Sequence, residues 1–178
     1  MNKTRVGIDV DGVLRGFVEQ IIKLADEEGI QVKEPSNYEF LGQYIGDETI
    51  RSKIWGSKEW LERVFVDAPV LEKARSGYEL FCSDPQFEVY IVSAQREGTE
   101  KYTTQWLNKN RFKSHVSNIY THNKLEAPCQ ILIDDKPSNV QEYNDNARMG
   151  VMIDASYNRH VRTPYKVKNL IEAYNLLK

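Results

Sequence analysis

"RVGIDVDGVLRG", residues 5–16, carries the plainest architectural signal in the chain. Val6, Ile8 and Val10 alternate along a short β-prone run. The run ends by presenting Asp9 and Asp11 one residue apart, followed at once by Gly12. Strand residues i and i+2 point the same way, so both carboxylates can face one crevice. Gly12 then lets the chain turn sharply. Like charges at the end of a buried strand are costly, so the pair demands a partner that offsets them.

On its C-terminal side the chain alternates between helical and strand periodicities. Residues 17–28 carry Phe17, Val18, Ile21, Ile22 and Ala25 at helical spacing, and Gly29 is a natural stop. Residues 33–46 contain Pro35, Gly42 and Gly46 and read as irregular; residues 47–64 return to helical character. A helix is predicted from Pro69 to about Cys82, then a buried strand over "FEVYIVSA" (87–94), a helix over 99–110 and a short strand over 116–120. "QILIDD" (130–135) is the next strand and again ends in two aspartates, Asp134 and Asp135. A helix over 137–146, a strand over "GVMID" and a helix over 167–177 complete the pattern. Alternating strands and helices predict an α/β fold, a Rossmann-like parallel sheet with helices on both faces. Two helical segments without an intervening strand break the alternation between about residues 17 and 67. This region is expected to be a small helical cap inserted after strand one, with the core domain formed by residues 1–16 and 68–178.

The bulk numbers narrow the function. The 178 residues suit one domain with a small insert. Net charge is −2 with no long run of one sign, so no nucleic acid polymer is expected as partner. No secretory leader pattern and no apolar stretch of membrane-spanning length is visible, so no membrane association is expected. Cys82 and Cys129 fit inert thiols in a reduced, cytoplasmic protein. Oligomeric state is not legible.

In an open α/β sheet, ligands bind beyond the carboxyl ends of the strands. Asp9, Asp11, Ser93, Asp134 and Asp135 all fall there. Two unit charges at 4 Å interact by about 4 kcal/mol at an effective dielectric of 20. A divalent cation resolves the repulsion, and oxygen-only ligands favour Mg²⁺, which commonly shares its shell with phosphate. An aspartate in such a site can attack phosphorus. A second carboxyl two residues on can protonate the leaving oxygen and later activate water. A hydroxyl and a lysine, with Ser93 and Lys124 available, would hold the phosphate oxygens.

"DVDGV" at residues 9–13, "IVSA" at 91–94, Lys124 and "ILIDD", in that order, resemble the four motifs of the haloacid dehalogenase superfamily of phosphotransferases. "GIDVDGVL", the early helical insert and "ILIDDKPSN" most resemble the 5′-nucleotidase type C, or deoxyribonucleotidase, group. The resemblance implies a phosphomonoester hydrolase with a small-molecule substrate, a nucleotide, and Mg²⁺ as cofactor. It implies that Asp9 is nucleophile and metal ligand, and that Asp11 is general acid/base and offers its backbone carbonyl to the metal. It further implies that Ser93 binds the phosphoryl group, Lys124 neutralises it, Asp134 ligates the metal and Asp135 orders a metal-bound water. Lys136, beside the aspartates, is the rival to Lys124.

Competing readings remain open. The same machinery serves sugar phosphates and other small phosphate esters. A signalling receiver also clusters aspartates with a hydroxyl and a lysine, but it lacks DxD spacing after its first strand and a large helical insert. A catalytically silent phosphate-binding protein would be expected to lack Asp9 or Asp11. Arg15, Gln95 and Arg96 lie close enough to strand ends to reach a phosphate. Tyr38, Phe40, Tyr44, Trp55 and Trp60 either stack a base or form the insert's own core. Asn139 is placed to order the loop after "IDDKP" through its side chain. His115, His122 and His160 show no metal-ligand spacing.

Overall fold

The computed structural model describes residues 2–38 and 48–178. Six strands form one parallel sheet in the order β3-β2-β1-β4-β5-β6. They are β1 (Thr4–Ile8), β2 (Phe87–Ser93), β3 (Ile119–Tyr120), β4 (Ile131–Asp134), β5 (Met149–Ile153) and β6 (Lys166–Val167). The α/β class expected from the alternating periodicities is the one observed. β1 lies at the centre, where the strand order reverses between β2 and β4, the place where such sheets open a crevice.

Period-two alternation distributes the core to both faces. Val6, Ile8, Val89, Ile91, Ile131, Ile133, Val151 and Ile153 share one apolar cluster with Tyr78, Phe81, Trp106 and Leu170. Those partners come from α4 (Ala74–Ser83), α5 (Glu100–Lys109) and α7 (Leu170–Leu177). On the opposite face Val92 and Cys129 pack together. There α6 (Pro137–Asp145) approaches β5 so closely that a Cβ at Gly150 would sit 2.4 Å from the Val140 carbonyl oxygen.

A second cluster gathers Ile21, Leu24 and Ala25 of α1 (Phe17–Glu27), Ile50 and Ile54 of α2 (Glu48–Gly56), and Val64 and Phe65. The last two belong to a π-helical turn, Glu62–Val66, that follows the short α3 (Lys58–Leu61). This cluster reaches the sheet domain through Tyr102 of α5. The chain leaves the sheet and returns to it along paired segments. The Gly16 N–H donates to the Pro69 carbonyl at 2.8 Å, and the Leu71 N–H donates to the Leu14 carbonyl at 2.9 Å.

Some boundaries differ from those expected. β1 ends at Ile8, two residues early, because the Val10 carbonyl accepts from the Leu14 and Arg15 N–H groups in a tight turn that Gly12 completes at φ +77°. The helix expected from Pro69 begins at Ala74, since residues 69–71 are used in pairing with residues 14–16 and Lys73 takes φ +62°. β3 is only two residues long. β6 has no counterpart among the expected strands, and it takes Val167 from the last helix, which starts after Asn169. The Asn169 side chain caps the Ile171 and Glu172 N–H groups at 3.1 Å.

Candidate active site

Sheet register builds the site. Ile8 is paired with Ile133 on one side and Ile91 on the other. The residues that follow, Asp9 and Asp134, therefore emerge side by side, and the Asp9 N–H still donates to the Ile133 carbonyl at 3.0 Å. Oxygen atoms of Asp9, Asp134 and Asp135, all buried, lie within 4.8 Å of one another. Asp11 is not part of that cluster. Its carboxylate turns to Arg15 on the other side of the crevice.

Lys124 opens a single 3₁₀ turn, Lys124–Glu126, and is 1% exposed. Its Nζ lies 2.8 Å from Asp9 Oδ2 and 2.6 Å from Asp134 Oδ2. The Lys124 carbonyl accepts from the Tyr143 hydroxyl at 2.9 Å, tying the turn to α6. Lys136 behaves differently. Its backbone N–H donates to Asp134 Oδ1 at 2.7 Å, while its ammonium lies 5.4 Å over the Tyr38 ring. Asn139 Nδ2 donates to Asp134 Oδ2 at 2.9 Å, so its side chain orders the Asp134 carboxylate.

One lysine does not offset three carboxylates. Burial pushes the Asp9 carboxyl up to about 7, with Lys124 pulling it down and Asp134 pushing it further up. Burial, then Asp134 and Asp9, hold Asp135 well above the usual carboxylate range. Burial works against the Lys124 charge, but Asp134 and Asp9 outweigh it and hold its pKa above the usual lysine value. An oxygen-only cluster that resists full ionisation in this way fits a small divalent cation held by Asp9, Asp134 and Asp135.

Tyr157, in the 3₁₀ turn Ser156–Asn158 after β5, donates its hydroxyl to Asp135 Oδ2. Burial and then the Asp135 charge hold the phenol far above its ordinary pKa, so it remains a donor. Asn158 Nδ2 fixes the same loop by donating to the Asp135 and Ile153 carbonyls, each at 2.8 Å. Gly12 is wedged against this pair. A Cβ there would sit 2.3 Å from Asp135 Oδ2 and 2.7 Å from the Tyr157 hydroxyl.

A cavity of about 310 Å³ opens above the cluster. Asp9, Asp11, Lys124 and Asp135 line its polar end, and Phe17, Tyr38, Trp55 and Phe65 line its apolar end. Ser93 does not line it: the residue is 1% exposed, and its Oγ accepts from Gln95 Nε2, a lining residue, at 2.7 Å. Arg96 lines the cavity, with its guanidinium 4.5 Å over the Trp55 ring. Arg15 is buried away from the cavity and spent on other partners, so it is not available to a phosphate.

Trp60 lies under Lys53 and Arg63 rather than on the cavity wall. Phe40 and Tyr44 fall outside the described residues. His115 is structural: its Nδ1 accepts the Val89 N–H at 3.1 Å. Tyr157 and Asn158 are site residues that motif and spacing do not single out. Their signal is positional, since they follow the carboxyl end of "GVMID", which opens on the same crevice.

Comparison with known proteins places these features in context. Residues 2–178 match the family described as 5′ nucleotidase, deoxy (pyrimidine), cytosolic type C protein. A 5′(3′)-deoxyribonucleotidase from Clostridium acetobutylicum is 28% identical over 182 residues, covering 97% of each chain. A haloacid dehalogenase-like family hydrolase from Streptococcus pneumoniae superposes with a TM-score of 0.64 at 13% identity, covering 99% of each chain. The magnesium-bound YfnB protein of Bacillus subtilis superposes with a TM-score of 0.58 at 14% identity, also covering 99% of each chain. At these identities the two structures speak to the fold alone.

Proposed function

The chain belongs to the cytosolic type C family of 5′ nucleotidases, deoxy (pyrimidine), and is a phosphatase; on that premise we propose that it is a Mg²⁺-dependent phosphomonoester hydrolase of nucleoside and deoxynucleoside 5′-monophosphates. The observation that carries the reading is the gathering of Asp9, Asp134 and Asp135 beside a buried lysine, with Asp9, Asp135, Lys124 and Asp11 all lining one cavity.

In this reading Asp9, Asp134 and Asp135 hold Mg²⁺, with the Asp11 backbone carbonyl. When bound, the ion neutralises carboxylate and phosphate oxygens. Lys124 and Ser93 hold the phosphoryl oxygens. A carboxylate oxygen of Asp9 attacks phosphorus as the bond to the leaving oxygen breaks, and that oxygen takes the proton from the carboxylic acid form of Asp11, leaving it ionised. The product is an aspartyl-phosphate on Asp9. Water then gives a proton to Asp11 while its oxygen attacks phosphorus. The bond from Asp9 to phosphorus breaks and inorganic phosphate leaves. The insert after β1 acts as a cap, with Phe17, Tyr38, Trp55 and Phe65 narrowing the cavity against water. The apolar wall of Phe17, Tyr38, Trp55 and Phe65 gives the rest of the substrate a surface to pack on.

The test is phosphate release from a panel of nucleoside monophosphates, deoxynucleoside monophosphates and sugar phosphates, with Mg²⁺, with EDTA, and with Asp9→Asn. Metal-dependent release that is best on nucleotides and vanishes in Asp9→Asn is expected. Preference for a sugar phosphate would overturn the substrate class. Full activity in Asp9→Asn would overturn the nucleophile.

A further inference from the structure

Arg15 is 0% exposed, and its guanidinium makes four hydrogen bonds to the protein. Nε donates to Asp11 Oδ1 at 2.6 Å and Nη2 to Asp11 Oδ2 at 3.0 Å, a two-point grip on the carboxylate. Nη1 donates to the Phe65 carbonyl at 3.0 Å, and Nη2 also reaches Thr103 Oγ1 at 3.1 Å. The planar group is flanked by the Phe65 and Trp106 rings, 5.1 and 5.4 Å from their centroids. The hydrogen bonds close into a ring. Thr103 Oγ1 donates to Gln95 Oε1 at 2.9 Å, and Gln95 Nε2 donates to Ser93 Oγ at 2.7 Å and to Asp11 Oδ2 at 3.4 Å.

We infer that Arg15 is a positioning residue: with Thr103 and Gln95 it fixes the Asp11 carboxyl group relative to Ser93, so that the proton carried by its acid form passes to the leaving oxygen, and is later replaced from water, in a preset geometry. The inference rests on the proposed role of Asp11. A buried arginine is costly unless it is paired and hydrogen-bonded, and here the partners span three places. Asp11 belongs to the loop after β1, Phe65 to the π-helical turn, and Thr103 to α5. Asp11 keeps 27% of its side chain exposed on the cavity, so the grip restrains its orientation without removing it from a substrate. Because Arg15 also holds the Phe65 carbonyl, the placement of the helical insert is carried onto the same carboxylate.

Leaving-group dependence separates positioning from mere structural support. A good leaving group such as 2,4-dinitrophenolate departs without protonation, whereas a nucleoside alkoxide needs it. kcat/KM covers only the steps through phosphoenzyme formation when that step is irreversible, so it isolates the first proton transfer. Asp11→Asn is expected to lower kcat/KM for a deoxynucleoside monophosphate by about 10²-fold or more. The loss on 2,4-dinitrophenyl phosphate should be much smaller.

Arg15→Met is expected to show the same selectivity, at least about tenfold on the nucleotide and within about threefold on the dinitrophenyl ester. Arg15→Lys should recover only part, because an ammonium cannot make the two-point grip. Equal losses on both substrates in Arg15→Met would overturn the inference, as would an unchanged or raised nucleotide rate. If Arg15→Met does not fold, Thr103→Val removes one link of the ring, and the same substrate ratio decides. A substrate-selective loss in Thr103→Val upholds the inference, and a uniform or absent loss overturns it. Should Asp11→Asn itself show no leaving-group selectivity, the proposed role of Asp11 has failed rather than the role of Arg15.

Discussion

Lys124 Nζ lies 2.6 Å from Asp134 Oδ2, and both side chains are closed to solvent. The same ammonium reaches Asp9, so one cation is shared by two carboxylates that the sheet forces together. Breaking a buried pair by removing one partner costs about 3–5 kcal/mol. Lys124→Met should lose activity and lose stability of that order, read by urea denaturation in EDTA. A loss below about 1 kcal/mol would mean the ammonium is not the counter-charge that the geometry indicates.

Gly12→Ala tests the wedge between the two carboxylate loops. Its φ of +77° disfavours any Cβ, and the space is already filled by Asp135 and Tyr157. Gly29 is the matched control, with φ +74° and nothing within 4 Å of where a Cβ would sit. Both variants should lose about 1–2 kcal/mol from the left-handed backbone. Only Gly12→Ala should lose activity, by about 10²-fold, because it displaces a proposed metal ligand. Equal activity in the two variants would sink the wedge.

Tyr157→Phe removes the hydroxyl that Asp135 accepts. Groups that orient metal ligands typically change metal affinity by about 10–100-fold. Mg²⁺ binding measured by calorimetry should weaken within that range, with kcat at saturating Mg²⁺ falling less. Unchanged affinity would remove Tyr157 from the metal site.

Asp84 supplies a pH-dependent contribution far from the crevice. The Gln86 N–H and the Tyr174 hydroxyl, each donating at 2.9 Å, hold its carboxyl below the usual value. A folded-state pKa below the unfolded one favours folding above the unfolded pKa, about 3.9, and the benefit fades as pH falls through the folded value. The melting-temperature gap between the parent and Asp84→Asn should be full at pH 6 and shrink below about pH 4. A gap that widens on acidification would contradict the sign.

Much of the architecture is legible because it is written in local periodicity. Alternation at Val6 and Ile8, the apolar run through Ile91, and the second run ending in Asp134 each specify a strand without reference to any other part of the chain. The paired segments at residues 14–16 and 69–71 are not legible, and Pro69 reads instead as the start of a helix. Their hydrogen bonds join positions more than fifty residues apart, and a Pro-initiated helix is the stronger local signal. β6 and β3, two residues each, are too short to carry a pattern.

The candidate site divides in the same way. Asp9, Asp11, Ser93, Asp134 and Asp135 announce themselves by standing at the ends of apolar runs, and the rule that ligands bind beyond carboxyl ends makes them neighbours. Arg15 reads in sequence only as a phosphate contact, because sequence shows a cation near a strand end and not its partners. Local periodicity was enough for the α/β class, and residue order alone put carboxylates at the ends of the first and fourth strands. The meeting of Lys124 with Asp9 and Asp134, of Tyr157 with Asp135, and the turn of Arg15 from the cavity to grip Asp11 come from the assembled fold. Periodicity is a property of adjacent residues, whereas those pairings arise from register between strands and from loops that converge only when the sheet is assembled.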